Sequence, residues 1–342
     1  MQEDASLSFG GLRIQPPLLL APMAGLTHSA LRSTILQFGG VGLLSTEMLS
    51  ATRLPSDNPH ISPYLIRTQA ERPLSYQLLV SSTEQIPMAM ERLHVLGADA
   101  VDLNLGCPAP QVRRAGGGAL LMEHPKLVQQ IVSEARRHTS LPLSAKIRLG
   151  EEVDEVKLRT FCQMLEGEGI DLLTVHARLR SEAFTRKPHW DWIARVKQWL
   201  RIPIVANGAI DCVASARECL RMSGADGLMI GRKAASAPWI FAAIARELFP
   251  SSGLPLPERS LSLPAVYQHF AEALASRFPP ERRLGRLKEF THYFARNYPF
   301  GHHLASQVQA STTFSEARQR ALAFLLQHDP QAAQPVFAAK KK

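Results

Sequence analysis

The stretch 203-PIVANGAIDCVASARECLRMSGADGLMIGR-232 contains two short apolar runs separated by a segment with helical periodicity. The runs 203-PIVANG-208 and 227-GLMIG-231 are almost continuously hydrophobic, which is typical of parallel strands covered on both faces. Between them, 214-ASARECLRMSG-224 has the spacing of an amphipathic helix and ends in glycine, a common residue at a helix C-terminus. The stretch therefore predicts a strand–helix–strand unit of a parallel sheet.

The same alternation of apolar runs and helical patterns extends back to residue 18. Segments such as 84-EQIPMAMERLHVLG-97 have helical spacing, and only residues 49–73, which contain several prolines, are expected to form a loop. Eight strand-plus-helix units predict a closed (β/α)8 TIM barrel rather than an open doubly wound sheet. The six other strand runs are 18-LLLAPM-23, 42-GLLSTEM-48, 74-LSYQLLV-80, 100-AVDLNLG-106, 142-PLSAKIRL-149 and 172-LLTVHA-177.

The pattern changes after residue 249. Residues 250–264 are rich in Pro, Ser and Gly and are expected to form a linker. Only helical patterns follow, so we divide the chain into a catalytic barrel over 1–249 and a small all-helical domain over 265–342 that ends in the basic tail Lys340–Lys342. The expected helices are 265-AVYQHFAEALASRF-278, 283-RLGRLKEFTHYFARNY-298 and 314-FSEARQRALAFLLQH-328.

Basic residues are concentrated in this C-terminal region. The formal net charge is +9, and residues 243–342 contribute 13 Lys and Arg against 7 Asp and Glu. Such an excess favours a polyanionic partner through phosphate contacts and counterion release. On the helix 283–298, Lys288, His292 and Arg296 recur at four-residue spacing and would form one phosphate-facing stripe, although a merely solvated helix face gives the same pattern.

Composition and cysteine spacing exclude several classes of protein. With 45% hydrophobic and 20% charged residues, the chain is expected to be globular with a substantial core. Its early apolar run 16-PPLLLAPMAG-25 is too short to cross a membrane and follows Glu3 and Asp4 rather than a basic segment. The four cysteines lack CxxC spacing, so we expect no metal site and no disulfide framework. Unpaired cysteines are typical of the reducing cytoplasm, and we expect the protein to act there as a monomer.

One cysteine stands at an unusual place. The stretch 104-NLGCPAPQVRRAGGGALL-121 puts Cys107 between Gly106 and Pro108, directly after the strand run 100–106. A core cysteine packs among aliphatic residues, whereas this one lies where the chain turns out of the sheet. The position suits chemistry, although a buried and inert turn cysteine explains the fragment equally well.

Other polar residues interrupt the carboxyl ends of the strand runs, where TIM-barrel active sites lie. Glycines in 207-NG-208 and 231-GR-232 would let the backbone approach a phosphate, and Arg232 with the start of the following helix would neutralise its charge. Lys146 and Gln77 would face the ring system of such a cofactor, because a cation beside N1 and C2=O of a flavin stabilises its anionic reduced form. These residues predict an FMN site.

Seven motifs of this chain occur in the same order in one known family. They are 20-LAPMAG-25, 77-QLLVSS-82, 102-DLNLGCPAPQVRRAGGGALL-121, 145-AKIRLG-150, 175-VHARLR-180, 203-PIVANGAI-210 and 225-ADGLMIGRKAASAPWIF-241. On these residues the sequence resembles the tRNA-dihydrouridine synthases, flavoenzymes that reduce specific uridines in transfer RNA. The helical region after 250 is similar to the RNA-binding domain of that family only in kind.

The resemblance implies a role for each matching residue. Cys107 would be the catalytic acid, and Asn104 and Arg178 would hold the uracil base. The residues implied to bind FMN are Pro22, Met23, Ala24, Gln77, Lys146, His176, Asn207, Gly208, Ala209, Gly231 and Arg232. NADPH is the expected reductant and tRNA the expected partner. The RNA contacts outside the barrel would come from Lys288, His292 and Arg296.

The implied reaction reduces the C5=C6 bond of a uracil. Hydride passes from the reduced flavin to C6, and an acid must then protonate C5, which is the role implied for Cys107. An ordinary thiol is largely protonated at neutral pH and can donate to such a carbanion-like centre. Because the target base is stacked in folded RNA, it must first be extruded into the barrel mouth.

The chain departs from the family pattern at Pro110, Leu179 and Ala209 and over 181-SEAFTRKPHWDW-192, so the uridine that it modifies stays open. Two other functions also stay open. An FMN barrel acting on a free pyrimidine, such as a dihydroorotate-type dehydrogenase, would share the phosphate site but would not need a basic helical domain. A non-catalytic RNA-binding barrel would hold no flavin, and the intact Cys107 argues against it.

Overall fold

An antiparallel hairpin closes one end of the fold. The structure is a computed structural model that describes residues 6–250, 260–328 and 334–335. The hairpin strands, β1 (Leu7–Phe9) and β2 (Leu12–Ile14), bring Leu7, Phe9 and Ile14 into one buried cluster with residues from the start of several barrel strands. The hairpin therefore covers the amino-terminal end of the barrel, and the opposite end stays open.

Eight parallel strands form the barrel predicted from the apolar runs. They are β3 (Leu18–Leu20), β4 (Leu44–Ser50), β5 (Leu74–Leu79), β6 (Ala100–Leu105), β7 (Leu143–Ile147), β8 (Leu172–His176), β9 (Ile204–Asn207) and β10 (Gly227–Ile230). They pair in the order β3-β10-β9-β8-β7-β6-β5-β4. A parallel bridge between Leu19 and Leu43, just before β4, completes the ring. The expected (β/α)8 architecture is thereby confirmed.

Helices cover the outside of the barrel. They are α1 (Ser29–Leu36), α2 (Ile86–Val95), α3 (Pro110–Arg114), α4 (Pro125–His138), α5 (Glu155–Gly167), α6 (Trp190–Trp199), α7 (Val213–Ser223), α8 (Arg232–Ser236) and α9 (Ile240–Leu248). Gly224 ends α7 in the left-handed conformation, with φ of +60°, as its sequence pattern predicted. Between β4 and β5 only a 3-10 turn, Leu54–Ser56, interrupts the loop, in agreement with the prediction for 49–73.

The C-terminal region is helical. Its helices are α10 (Leu263–Arg277), α11 (Arg283–Phe294), α12 (Gly301–Gln309) and α13 (Phe314–His328). A 3-10 turn, Ala295–Asn297, continues α11, and two short strands, β11 (Ser260–Leu261) and β12 (Gln334–Pro335), pair beside the helices. The sequence patterns missed α12 and this strand pair. Residues 251–259 of the expected linker and the lysine tail lie outside the described ranges.

Polar contacts attach the helical region to the barrel, and an aromatic stack joins two of its helices. NH1 of Arg277 donates to Oγ of Ser29 at 2.9 Å and to Oγ of Ser33 at 2.8 Å, which joins α10 to α1. The ring of Phe270 on α10 stacks on Phe290 of α11, with 3.7 Å between centroids. The helices therefore have their own aromatic core and a fixed position on the barrel.

The described residues lack two other features. No helix in these ranges is long and apolar enough to cross a membrane. The same residues contain no group of three or more His, Cys, Asp and Glu side chains that could hold a metal ion. All four cysteines are free thiols, with Cys162 and Cys219 buried, Cys107 partly exposed and Cys212 exposed.

Candidate active site

A cavity of about 510 Å³ opens at the carboxyl ends of the barrel strands, where TIM-barrel enzymes hold their active sites. The wall includes residues from the end of every barrel strand or from the loop that follows it. The residues expected from sequence that line it are Pro22, Met23, Ala24, Gln77, Asn104, Cys107, Lys146, His176, Arg178, Asn207, Gly208, Ala209, Gly231, Arg232 and Arg296. Lys288 and His292 are not part of this wall.

The thiol of Cys107 lies in a turn that is held from both sides. The Cys107 amide donates to Oδ1 of Asn104 at 2.9 Å, and the Cys107 carbonyl accepts from the amide of Ala119 at 2.9 Å. A Cβ added to Gly118 would lie 2.5 Å from that carbonyl oxygen, and the φ of Gly118 is +65°, so only glycine permits this approach. The glycines after Cys107 therefore help to fix the thiol at the cavity wall.

A chain of buried side chains supports this turn. Oγ of Ser144 and Nε2 of Gln77 each donate to a different oxygen of Asp102, both at 2.6 Å. Nδ2 of Asn104 in turn donates to Oε1 of Gln77 at 2.7 Å. Burial raises the pKa of the Asp102 carboxyl, against the hydrogen bonds from Ser144 and Gln77. After these bonds Gln77 and Asn104 each keep one amide hydrogen for a ligand.

Lys146 extends from β7 into the cavity wall. Its Nζ donates to Oδ1 of Asn207 at 3.0 Å, and Nδ2 of Asn207 donates to the Met229 carbonyl at 2.7 Å. Burial lowers the pKa of Lys146 to about 8, the Asp102 carboxylate opposes this shift, and Arg148 adds to it. A ligand with negative charge would favour the protonated amine and would raise this pKa again.

His176 is a neutral imidazole in one tautomer. Burial lowers the pKa of His176, and the neighbouring cations Lys146 and Arg148 lower it further. NH1 of Arg178 lies 2.9 Å from Nε2 of His176, and because a guanidinium can only donate, Nε2 accepts and the ring hydrogen is on Nδ1. His176 therefore offers a ligand one N–H donor but no imidazolium proton for transfer.

Two arginines hold the loop after β8 against the cavity. NH2 of Arg178 donates to the carbonyls of Phe184 at 3.1 Å and Arg186 at 2.6 Å. NH1 of Arg148 donates to the carbonyl of Leu179 at 2.7 Å. Sequence reasoning assigned Arg178 to the uracil base, but most donors of its buried guanidinium are bound to the protein. Its principal contacts are with this loop.

Phe184 is a cavity residue that sequence reasoning missed. The residue is 48% exposed, and its ring lies nearly parallel to that of His176, with 5.9 Å between centroids. Cζ of Arg232 lies 4.1 Å from the centre of the Phe184 ring, which is close enough for a cation–π contact. A weak signal was present in the sequence, because Phe184 stands in the mostly polar segment 181–192 that follows a strand end.

The ends of β9 and β10 form a cationic recess that only glycine permits. The φ of Gly208 is +121°, and a Cβ there would lie 3.0 Å from the His176 ring and 3.2 Å from NH1 of Arg178. Ala209 follows with φ of +52°, a conformation that costs a non-glycine residue strain. The Arg232 side chain makes no hydrogen bond or ion pair with the described residues. An uncompensated guanidinium beside glycine backbone fits a phosphomonoester, so these residues fit FMN.

Helix α11 brings part of the basic stripe to the cavity. Leu287 and Phe294 are buried on its packed face. NH2 of Arg296 lies 3.3 Å from Nε2 of His292, and both side chains are exposed, whereas Lys288 is half-buried. Of the three basic residues, only Arg296 lines the cavity.

Cys107, Lys146 and the cationic recess at Arg232 lie at the carboxyl end of one barrel, where TIM-barrel enzymes hold their active sites. The chain belongs to the dihydrouridine synthase family, because the family model described as "Dihydrouridine synthase (Dus)" matches residues 19–327. Formation of dihydrouridine is a reduction, which makes the protein an oxidoreductase. The resemblance seen in the motifs is confirmed.

Named relatives agree with this assignment. A protein named probable tRNA-dihydrouridine synthase from Rhodobacter capsulatus is 36% identical over 277 residues, which cover 79% of this chain and 83% of the relative. A tRNA-dihydrouridine(16) synthase from Aquipseudomonas alcaligenes is 34% identical over 302 residues, covering 85% and 94%. The solved 2-naphthoyl-CoA reductase complex matches this chain with a TM-score of 0.54 at 11% sequence identity. The match covers 70% of this chain and 51% of the reductase chain, and it shows the fold alone.

Proposed function

We propose that the protein is an FMN-dependent tRNA-dihydrouridine synthase that takes electrons from NADPH and uses Cys107 as its acid. The names of the relatives support the reaction and the class of RNA. The observation that carries the catalytic assignment is the position of Cys107 in one cavity with Lys146, neutral His176 and the free guanidinium of Arg232. We also propose that the protein acts as a monomer in the cytoplasm.

FMN would bind across this cavity. Arg232 and the backbone at Gly208 would hold the phosphate, and Lys146 with the free amide hydrogen of Gln77 would contact the flavin ring. The other residues that would line the cofactor are Pro22, Met23, Ala24, His176, Asn207, Ala209 and Gly231. When bound and reduced, FMN supplies the hydride for C6 of the uracil.

Cys107 would deliver the second hydrogen, as a proton to C5. His176 is a poor candidate, because it is neutral and its Nε2 already accepts from Arg178. Lys146 is bound to Asn207 and is better placed to balance the negative charge of the reduced cofactor. Cys107 carries a dissociable thiol proton at the same wall, on a turn fixed by Asn104.

Hydrogen-bond donors would hold the base while this charge develops. The free amide hydrogen of Asn104 and the Nδ1–H of His176 can both donate to the pyrimidine carbonyls, where negative charge appears during reduction. Arg178 would act by fixing the loop that carries Phe184, rather than by direct contact alone. Both donors are already oriented by the protein before the substrate enters.

The helical region would bind the RNA backbone. His292 contacts Arg296 at the cavity, and Lys288 stands about one turn earlier on α11, so RNA phosphates along this helix would guide an extruded uridine into the barrel. The division into a barrel over 1–249, a linker over 250–264 and a helical RNA-binding domain over 265–342 is part of this proposal.

The direct test combines the purified protein with FMN, NADPH and tRNA transcribed without modifications, and measures dihydrouridine by mass spectrometry of digested RNA. We expect dihydrouridine in the tRNA and none from free uracil. Reduction of free uracil or oxidation of dihydroorotate without RNA would favour the dehydrogenase of a free pyrimidine. A protein that stays colourless after FMN is added would instead favour a non-catalytic RNA-binding barrel.

A further inference from the structure

The phosphate end of the cavity contains a residue from outside the barrel. Arg296, in the turn that follows α11, lines the cavity together with Arg232 and Ser236 of α8. Nδ2 of the adjacent Asn297 donates to the Ser236 carbonyl at 2.6 Å and to the Phe294 carbonyl at 2.8 Å. The end of α11 is therefore fastened to the short helix that carries Arg232.

This arrangement places two like charges close together. Burial lowers the pKa of Arg232, nearby Tyr293 opposes this shift, and the charge of Arg296 lowers the pKa further. Among the described residues, neither guanidinium has a carboxylate within ion-pair distance. Both side chains are exposed, so water and salt screen their mutual repulsion, and a bound anion would pair with both charges.

Aromatic rings orient both guanidiniums without neutralising them. Cζ of Arg232 lies 4.1 Å from the Phe184 ring centre, and Cζ of Arg296 lies 5.1 Å from that of Tyr293. Stacking of this kind leaves the N–H edge of a guanidinium available for hydrogen bonds. Both guanidiniums line the same cavity wall.

We propose that Arg296 and Arg232 together bind the phosphate of FMN, so that the helical region completes the cofactor site of the barrel. The inference rests on the proposed function. A phosphomonoester carries a charge of about −1.5 to −2 at neutral pH, which matches two guanidiniums better than one. The alternative ligand of the two arginines is an RNA phosphodiester, which carries only one negative charge.

The proposal divides the basic stripe into two parts. Arg296 belongs to the cofactor site, whereas Lys288 and His292 lie outside the cavity and stay available for RNA. Because Arg296 reaches the recess only while Asn297 holds α11 on α8, retention of FMN also depends on the docked position of the helical region.

The test titrates flavin-free protein with FMN and with riboflavin, which lacks the phosphate, and follows flavin fluorescence. The variant is Arg296→Gln, and Arg282→Gln is the matched control, since Arg282 is exposed at the start of α11 and is not part of the cavity wall. We expect Arg296→Gln to weaken FMN binding about tenfold, the lower end for a charge-assisted contact, and to leave riboflavin binding unchanged. Arg282→Gln should change neither.

Other outcomes would overturn the proposal. Equal losses for FMN and riboflavin would mean that Arg296 supports the fold of the site and not the phosphate, and thermal unfolding of the flavin-free variant would report this independently. Unchanged FMN binding with weakened tRNA binding would assign Arg296 to an RNA phosphate. If the unaltered protein binds no FMN, the proposed function itself fails, which is a different result from an Arg296 variant that binds FMN as well as wild type.

Discussion

Replacing Lys146 with methionine tests how the cavity uses a buried cation. In the flavin-free protein the pKa of Lys146 is about 8, against 10.5 for an ordinary lysine, because burial disfavours the charged amine. Between pH 8 and 10.5 the unfolded chain therefore binds more protons than the folded chain at this site. By linkage, this site makes the folded protein more stable as the pH rises through that window.

The expected magnitude follows from the two pKa values. Between pH 7 and pH 9.5, deprotonation of Lys146 contributes about 2 kcal/mol to the free energy of unfolding of the flavin-free wild type. Lys146→Met lacks this contribution, although it leaves Oδ1 of Asn207 without its donor at both pH values. Urea denaturation of both proteins at the two pH values gives the difference directly. If the pH change affects wild type and Lys146→Met equally, Lys146 is not a perturbed amine and the reasoning is wrong.

Bound FMN should make the positive charge of Lys146 favourable, which is the opposite of its effect in the flavin-free protein. A cation beside the flavin ring stabilises the reduced anion, so Lys146→Met should lower the affinity for FMN at pH 7 and make the midpoint potential of the bound flavin more negative. The affinity of wild type should also decrease as the pH rises through about 8, where Lys146 loses its proton. A wild-type affinity that stays constant from pH 7 to pH 9.5 would remove Lys146 from the cofactor site.

Three further substitutions separate the cofactor site, the acid and the RNA surface. Arg232→Ala should lose a charge-assisted phosphate contact and release FMN during gel filtration, and full retention would contradict the phosphate assignment. Cys107→Ala should keep FMN and its reduction by NADPH but form dihydrouridine about 10²–10⁴-fold more slowly. The control Cys212→Ser, at an exposed thiol, should match wild type. A loss below tenfold for Cys107→Ala would point to another acid. Lys288→Gln should reduce the salt slope of tRNA binding by about 0.7–0.9, and a merely solvated lysine would leave that slope unchanged.

The sequence predicted the barrel because each strand has a strong local signal. Strands such as β9 and β10 are covered on both faces, so their runs are almost continuously apolar and are bounded by helical patterns. The hairpin β1–β2 was missed, since its strands have only three residues each and depend on packing under the barrel. Helix α12 was missed because it starts at Gly301, and Pro299 and Gly301 are residue types typical of a turn.

The candidate site was predictable where closure of the barrel alone brings residues together. Cys107, Lys146 and Asn207 stand at strand ends, and a TIM barrel collects strand ends at one mouth whatever the loops do. The positions of Phe184 and Arg296 were not predictable in this way. The first depends on hydrogen bonds from a neighbouring arginine to a long loop, and the second on how a separate helix docks on the barrel.

The most direct measurement of the central claim is a map of dihydrouridine across all cellular RNAs, at nucleotide resolution, in a strain that lacks the gene for this protein. The account predicts that dihydrouridine disappears at defined tRNA positions and at no position in other RNAs. A plasmid with the wild-type gene should restore these positions, and a plasmid with Cys107→Ala should not. A map identical to that of the parent strain, in the absence of any second synthase acting at the same positions, would contradict the claim that this barrel reduces uridine in tRNA.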